Sequence, residues 1–317
     1  MIEELLEPLV SGRFRNDERY RSGHVRIINA LPGRRIVGVH IPDMVALAKT
    51  LVRRPDAMEI ISGFESSACQ EAGSGRRDIL LHEEMMVWGM MINSLDRSCL
   101  SLPGADGIAG KGLDMSGLAG MRDARVRLLG LKLELLGRYV PHIDNWAVCD
   151  HVAGAAKWFG REVKRPLRSS PYEGPDSPAG KEGGTDDIIC ESLWKFLCGY
   201  FASDREFEVR FATVMAMSHF LDGKYLPRIF FRFDSLDFGR IRSEYVSSTN
   251  TQTPGRVIGE PPYYVRMGVA WCLATALAKF PDETRAYLRH SRLPENVIRL
   301  YVRKARESFR TRDISPF

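Results

Sequence analysis

Apolar residues recur at three- and four-residue spacing along ten separate stretches, roughly 43–53, 79–96, 121–138, 146–159, 190–202, 204–221, 223–233, 263–280, 282–290 and 294–311. That period puts them on one face of an α-helix. Extended runs are scarce. The best, RRIVGVHI at 34–41, is closed by Pro42 and reads either as a strand or as a loop entering the next helix. Many short amphipathic helices with almost no strand signal specify an all-α protein built from stacked helix pairs. No repeat of about 20–50 residues is visible in the letters, so any repetition is structural.

Three stretches break the helical pattern. Residues 102–120 carry six glycines, 165–186 are rich in Pro, Gly and Ser, and 246–262 are polar with a late proline pair. Such compositions favour turns and cannot pack a core. They read as loop insertions in a single domain spanning 1–317. The glycines of the first lack the GxxxxGK[ST] pattern, and no clear strand precedes them, which argues against a nucleotide-phosphate loop.

Composition narrows the class. Of the 317 residues, 44% are hydrophobic and 27% charged, ordinary values for a soluble chain with a packed core. No apolar run approaches the ~18 residues of a membrane span. The start, MIEELLEPLVSGRF, is acidic and amphipathic without a signal-peptide layout, so a cytoplasmic protein is expected. Six widely spaced cysteines form no CxxC pair, and seven histidines form no HExxH. They read as free, mostly buried thiols, and no metal site is expected.

Charge is concentrated near Arg289–Arg312. Eight basic residues there face only Glu295 and Glu307, an excess of six in a chain of net charge +5. The remainder is therefore close to neutral. Arg303, Lys304, Arg306, Arg310 and Arg312 form either a phosphate-binding footprint or a solvated helix face.

Three segments carry side chains suited to chemistry. In Asn145-Trp-Ala-Val-Cys-Asp150, a helical advance of ~100° per residue aligns Val148, Val152, Ala155 and Phe159 as a core stripe. Trp146 and Asp150 are then i,i+4 neighbours on the opposite face. This pair is either a Trp packed on the next helix pair with a surface Asp, or a functional couple. In YYVRMGVAWCLATALAKF, Val265, Val269, Cys272, Leu273 and Ala276 make the apolar stripe, and Trp271 falls opposite, in line with Tyr264 and Gly268. A shared concave solenoid surface would account for both outward Trp residues. Arg210 is the reverse case, set in a helix apolar on nearly every side. A buried guanidinium needs an anion, either Asp150 or Glu208 within the chain or an external phosphate.

These segments together, NWAVCD, EFEVRFATVMAMSHFLDGKYLPRIF, YYVRMGVAWCLATALAKFPDETRAYL and RKARESFR, resemble the AlkD-like DNA alkylation repair glycosylases, a family built from HEAT-like helical repeats. Upstream, IVGVHIPDMVALAK is similar to the family's GVRxPxLRxLAK segment, and HEEMMVWGMMI to its next helix. The resemblance covers about 34–96 and 124–311. His40 stands where the family has Arg, and Met44-Val45 where it has Leu-Arg.

The resemblance implies a HEAT-like solenoid with a concave DNA-binding face. It implies that Trp146 and Trp271 contact the sugar-phosphate backbone around a lesion. Asp150 would sit beside the glycosidic bond, and Arg210 would hold the nearby phosphate. The expected activity is monofunctional excision of cationic N3- or N7-alkylated purines from duplex DNA. The target base would not enter a tight pocket. No Schiff-base lysine, metal or cofactor is called for. The expected partner is duplex DNA, bound by a monomer without an obligate protein partner. Two further classes fit the residues: a non-catalytic helical-repeat module for damaged or branched nucleic acid, and a helical scaffold for protein partners.

Overall fold

A computed structural model describes residues 2–108, 123–165, 185–245 and 259–317. Of the expected loop insertions, 109–120, 166–184 and 246–258 lie outside these residues, as do the first two residues of the helix expected over 121–138. The chain is all-α. Its helices run α1 (Glu3–Leu6), α2 (Gly12–Asn16), α3 (Glu18–Ile28), α4 (Ile41–Leu51), α5 (Ala57–Ser74), α6 (His82–Ser94), α7 (Ala105–Ile108) and α8 (Ala124–Tyr139). They continue with α9 (Trp146–Ala155), α10 (Lys157–Val163), α11 (Thr185–Phe201), α12 (Glu206–Met215), α13 (Leu226–Asp234), α14 (Tyr263–Lys279), α15 (Pro281–Leu288) and α16 (Glu295–Glu307). Among the described residues there is no strand, only isolated bridges between Val10 and Val39 and between Arg205 and Arg242.

Among the described residues, 2–108 and 123–156 belong to one unit, and 157–165, 185–245 and 259–317 to another. In the first, α4 packs on α6 and α6 on α9, while α5 and α8 also pack on α6. Helix α6 is buried on nearly every side. Trp88 lies at its centre, with the Tyr139 ring edge-on at 4.8 Å. The approach of α6 to its neighbours depends on Gly89: a Cβ there would lie 2.9 Å from Tyr139 Oη and 3.0 Å from Val152. Any larger residue would push these helices apart.

The second unit repeats the scheme. Helix α10 packs on α11, α11 on α12, α12 on α14 and α14 on α16, with α15 against α14. Its centre is aromatic. Trp194 lies 5.1 Å from Phe220 and 5.4 Å from Tyr225, and Phe220 lies 4.7 Å from Tyr225.

The structure decides or corrects several local expectations. Of the two readings of 34–41, it takes the loop entering the next helix, over residues 34–40 ahead of α4: the amides of Val37 and Gly38 donate to the Glu83 carboxylate at 3.1 and 2.7 Å instead of to a partner strand. Burial holds that carboxyl above the usual carboxylate range. The helix expected over 146–159 breaks at Ala156, whose φ of −71° and ψ of 52° are not helical. The helix expected to reach 221 ends in a π-turn at Ala216–Phe220. Helices α3 and α5 were not anticipated. Buried Met58, Ile61, Phe64 and Ala68 give α5 a readable period, diluted by the serines and glycines between them.

All six cysteines are free thiols. Cys99, Cys149, Cys190 and Cys272 are buried, Cys198 is half-buried and Cys69 is exposed. Among the described residues no helix is long and apolar enough to cross a membrane.

Candidate functional site

Helix α9 begins at a chain of buried polar contacts. Asn145 caps it, its Oδ1 accepting from the amides of Ala147 and Val148, both at 3.1 Å. A cap of this kind satisfies amides that have no intrahelical partner. The Asn145 amide group donates to Asp144 Oδ1 at 2.8 Å. Asp144 Oδ2 in turn accepts from Arg34 Nε at 2.9 Å. The rest of the Arg34 guanidinium grips Glu71 on α5 at 3.0 and 2.7 Å and donates to the Leu80 carbonyl at 2.7 Å. These three ionic side chains are no more than 6% exposed. His82 completes the cluster, its Nδ1 lying 3.4 Å from Asn145 Nδ2. Burial pushes His82 down to about 4, so it is neutral at physiological pH and can accept from the amide.

This cluster fixes the position of Trp146, the first residue of α9. The Trp146 indole N–H donates to the Ile27 carbonyl at the end of α3, at 3.0 Å. The ring is half-buried. Asp150 follows one turn later on the same face and is also half-buried. The expected core stripe is largely as read: Val148 and Val152 are buried and Phe159 is buried on α10, whereas Ala155 is only half-buried. Ala153 is buried too, while Gly154 is exposed with open space around it.

In the second unit Arg210 is buried on α12, as its apolar surroundings demand. Its Nη1 donates to the Tyr264 carbonyl at 2.6 Å, and the guanidinium lies 5.7 Å from the Tyr264 ring centre. The Glu206 carboxylate, one turn earlier, is close enough to feel the Arg210 charge. Glu206 also accepts from the Tyr264 amide at 2.7 Å and so fixes the start of α14. Glu208, one of the partners considered for Arg210, pairs with Arg205 at 3.2 Å.

Trp271 is 38% exposed. The expected outward line of Tyr264, Gly268 and Trp271 needs correction. Tyr264 and Gly268 are buried, and a Cβ on Gly268 would lie 3.6 Å from Thr213 and 3.7 Å from Arg210 Nη1. The line is therefore the packing face between α12 and α14, and only its far end, Trp271, reaches solvent. The structure thus presents Trp146 with Asp150 on one helix, and Arg210 with Trp271 on two helices that touch.

The basic residues of α16 and beyond are mostly at the surface. Arg303, Arg306, Arg310 and Arg312 are exposed and Lys304 is half-buried. Arg303 and Lys304 share Glu307 at 3.6 and 3.0 Å, and Arg312 reaches Asp313 at 3.5 Å. Arg306 and Arg310 have no carboxylate partner among the described residues. His40 is exposed and precedes α4 as its N-cap, with no capping bond from its side chain.

Sequence reasoning missed Arg34, Glu71 and Asp144. Nothing local signals that residues 37 and 110 positions apart meet. It also missed Ile27, because α3 itself was not read. Comparison of the chain with family models, with curated proteins and with solved structures gives no match.

Proposed function

We propose that this chain is a monofunctional DNA glycosylase that hydrolyses the N-glycosidic bond of cationic N3- or N7-alkylated purines in duplex DNA. The observation that carries the reading is the Trp146–Asp150 pair. Both side chains are only half-buried, they share one face of α9, and the start of that helix is fixed by a buried ion cluster.

The chemistry suits these groups. An alkylated purine is a cation and leaves readily, so the barrier lies in positive charge developing on the deoxyribose. A fixed carboxylate at Asp150 stabilises that charge and orients the attacking water. Its partner Trp146, held by its N–H on the Ile27 carbonyl, offers an aromatic face to sugar C–H groups. Trp271, exposed on α14, offers a second. The basic surface of Arg303, Lys304, Arg306, Arg310 and Arg312 supplies affinity for phosphate that is independent of sequence. In this reading the stacked pairs of each unit are HEAT-like repeats, and the protein works in the cytoplasm as a monomer without cofactor.

One observation favours a second reading. Arg210 is buried and donates to a backbone carbonyl, which suits a structural guanidinium as well as a phosphate clamp. The chain would then be a helical-repeat module that binds damaged or branched nucleic acid without cutting it. Single-turnover release of base from a duplex containing N7-methylguanine separates the two. The glycosylase reading expects release by the wild type and a loss of at least about 100-fold in Asp150→Asn with duplex binding retained. Binding without release by either protein would establish the module.

A further inference from the structure

The segment after α16 is folded back and held in place. Thr311, 1% exposed, donates from Oγ1 to the Ala305 carbonyl at 2.7 Å. The amides of Thr311 and Arg312 donate to the Ser308 carbonyl at 3.0 and 2.8 Å, and that of Ile314 to the Thr311 carbonyl at 2.9 Å. The Tyr301 hydroxyl reaches past the turn to the Pro316 carbonyl at 2.9 Å. At the tip of this anchored turn stands Phe309, 80% exposed. The Arg312 guanidinium lies 5.2 Å from its ring centre. Arg306 and Arg310 flank it, exposed and without carboxylate partners among the described residues. Over Arg303–Asp313, five cations meet two carboxylates, an excess of three positive charges.

An isolated exposed Phe needs no explanation. A Phe fixed on this turn, with the Arg312 guanidinium beside its ring and the exposed Arg306 and Arg310 within three residues of it in sequence, combines two properties that few ligands match. The ligand must be a polyanion, and it must offer flat apolar surface. A regular duplex offers phosphates but keeps its bases stacked on one another. Unpaired nucleotides offer both, and base–aromatic stacking beside a cationic track is how sequence-tolerant single-strand binding works.

We propose that Phe309 is a base-stacking residue, and that with Arg306, Arg310 and Arg312 it forms a docking surface for unpaired nucleotides in distorted DNA. The proposal deepens the DNA reading above by naming the substrate feature recognised: a helix locally opened, whatever the lesion chemistry. It does not depend on Asp150. Failure of base release and failure of this proposal are therefore separate results.

The test is a fluorescence anisotropy titration of the full chain with a labelled paired duplex and with the same duplex carrying a three-nucleotide bubble. Co-sedimentation with vesicles of phosphatidylserine and phosphatidylcholine runs in parallel. The wild type is expected to bind the bubble about tenfold more tightly than the duplex. Phe309→Ala removes that preference while leaving duplex affinity and the circular dichroism spectrum unchanged, and Phe309→Trp keeps it. Arg306→Gln with Arg310→Gln weakens both DNAs alike and lowers the salt slope by about two. Equal affinity of the wild type for both DNAs overturns the proposal. So does a bubble preference that survives in Phe309→Ala. Vesicle binding that depends on Phe309, without DNA binding, overturns it in favour of an anionic membrane surface.

Discussion

The start of α9 and the centre of the second unit are fastened in opposite ways. The first is an ionic knot in which Arg34 holds Glu71 and Asp144 out of reach of water. The second is an aromatic cluster, with Trp194, Phe220 and Tyr225 meeting at 4.7–5.4 Å. Its charges stay at the rim: Arg228 stacks 4.9 Å from Trp194 and pairs with half-exposed Glu191 at 2.7 Å. The comparison teaches that one helical scheme has two different sensitivities. An aromatic cluster tolerates changes of pH and salt, whereas a buried ion cluster tolerates neither a missing partner nor a change of protonation.

The sharpest way to break this contrast is Arg34→Ala. It leaves two buried carboxylates without their cation, and the expected loss is about 3–5 kcal/mol in urea denaturation, with early hydrogen exchange at the start of α9. A loss below about 1 kcal/mol would show that the knot is not what holds Trp146 in place.

A smaller effect comes from pH. His82 is neutral in the folded chain down to about 4, but in the unfolded chain it takes up a proton near 6.5. The unfolded state therefore binds more protons between those values, and stability falls as pH drops from about 6.5 to 4, by up to about 3 kcal/mol. His82→Gln should flatten that limb in urea titrations run at successive pH values. The aromatic cluster contributes nothing here, because burial pushes the Tyr225 hydroxyl up and keeps it neutral throughout.

The smallest effect is expected at Tyr225→Phe. Its hydroxyl donates to Glu191 at 2.9 Å and lies 3.0 Å from Cys190 Sγ. Removing it should cost about 1–2 kcal/mol with no dependence on pH between 5 and 8. A loss as large as that of Arg34→Ala would mean that this cluster also rests on a polar contact, and the contrast would fail.

Periodicity was enough for the all-α architecture because most helices bury a regular stripe. Val265, Val269, Cys272, Leu273 and Ala276 on α14 are all buried, as their spacing requires. The pairing of Trp146 with Asp150 was also legible, since it follows from helix geometry alone. The surroundings of those residues were not. Tyr264 and Gly268 shared the outward line of Trp271 on a helical wheel, yet they are covered by α12. A wheel drawn for one helix cannot show which neighbour covers which arc. Arg34 was harder still. In sequence it opens the best extended run of the chain, and its role depends on two acids brought to it only by folding.

The distribution of thiols gives the protein a built-in set of clocks. Each unit hides two: Cys99 and Cys149 in the first, Cys190 and Cys272 in the second. A maleimide added to the native chain labels Cys69 at once and Cys198 more slowly, and each further label then marks one opening event. Read by peptide mass over time, the order in which the hidden pairs become modified reports which unit breathes first.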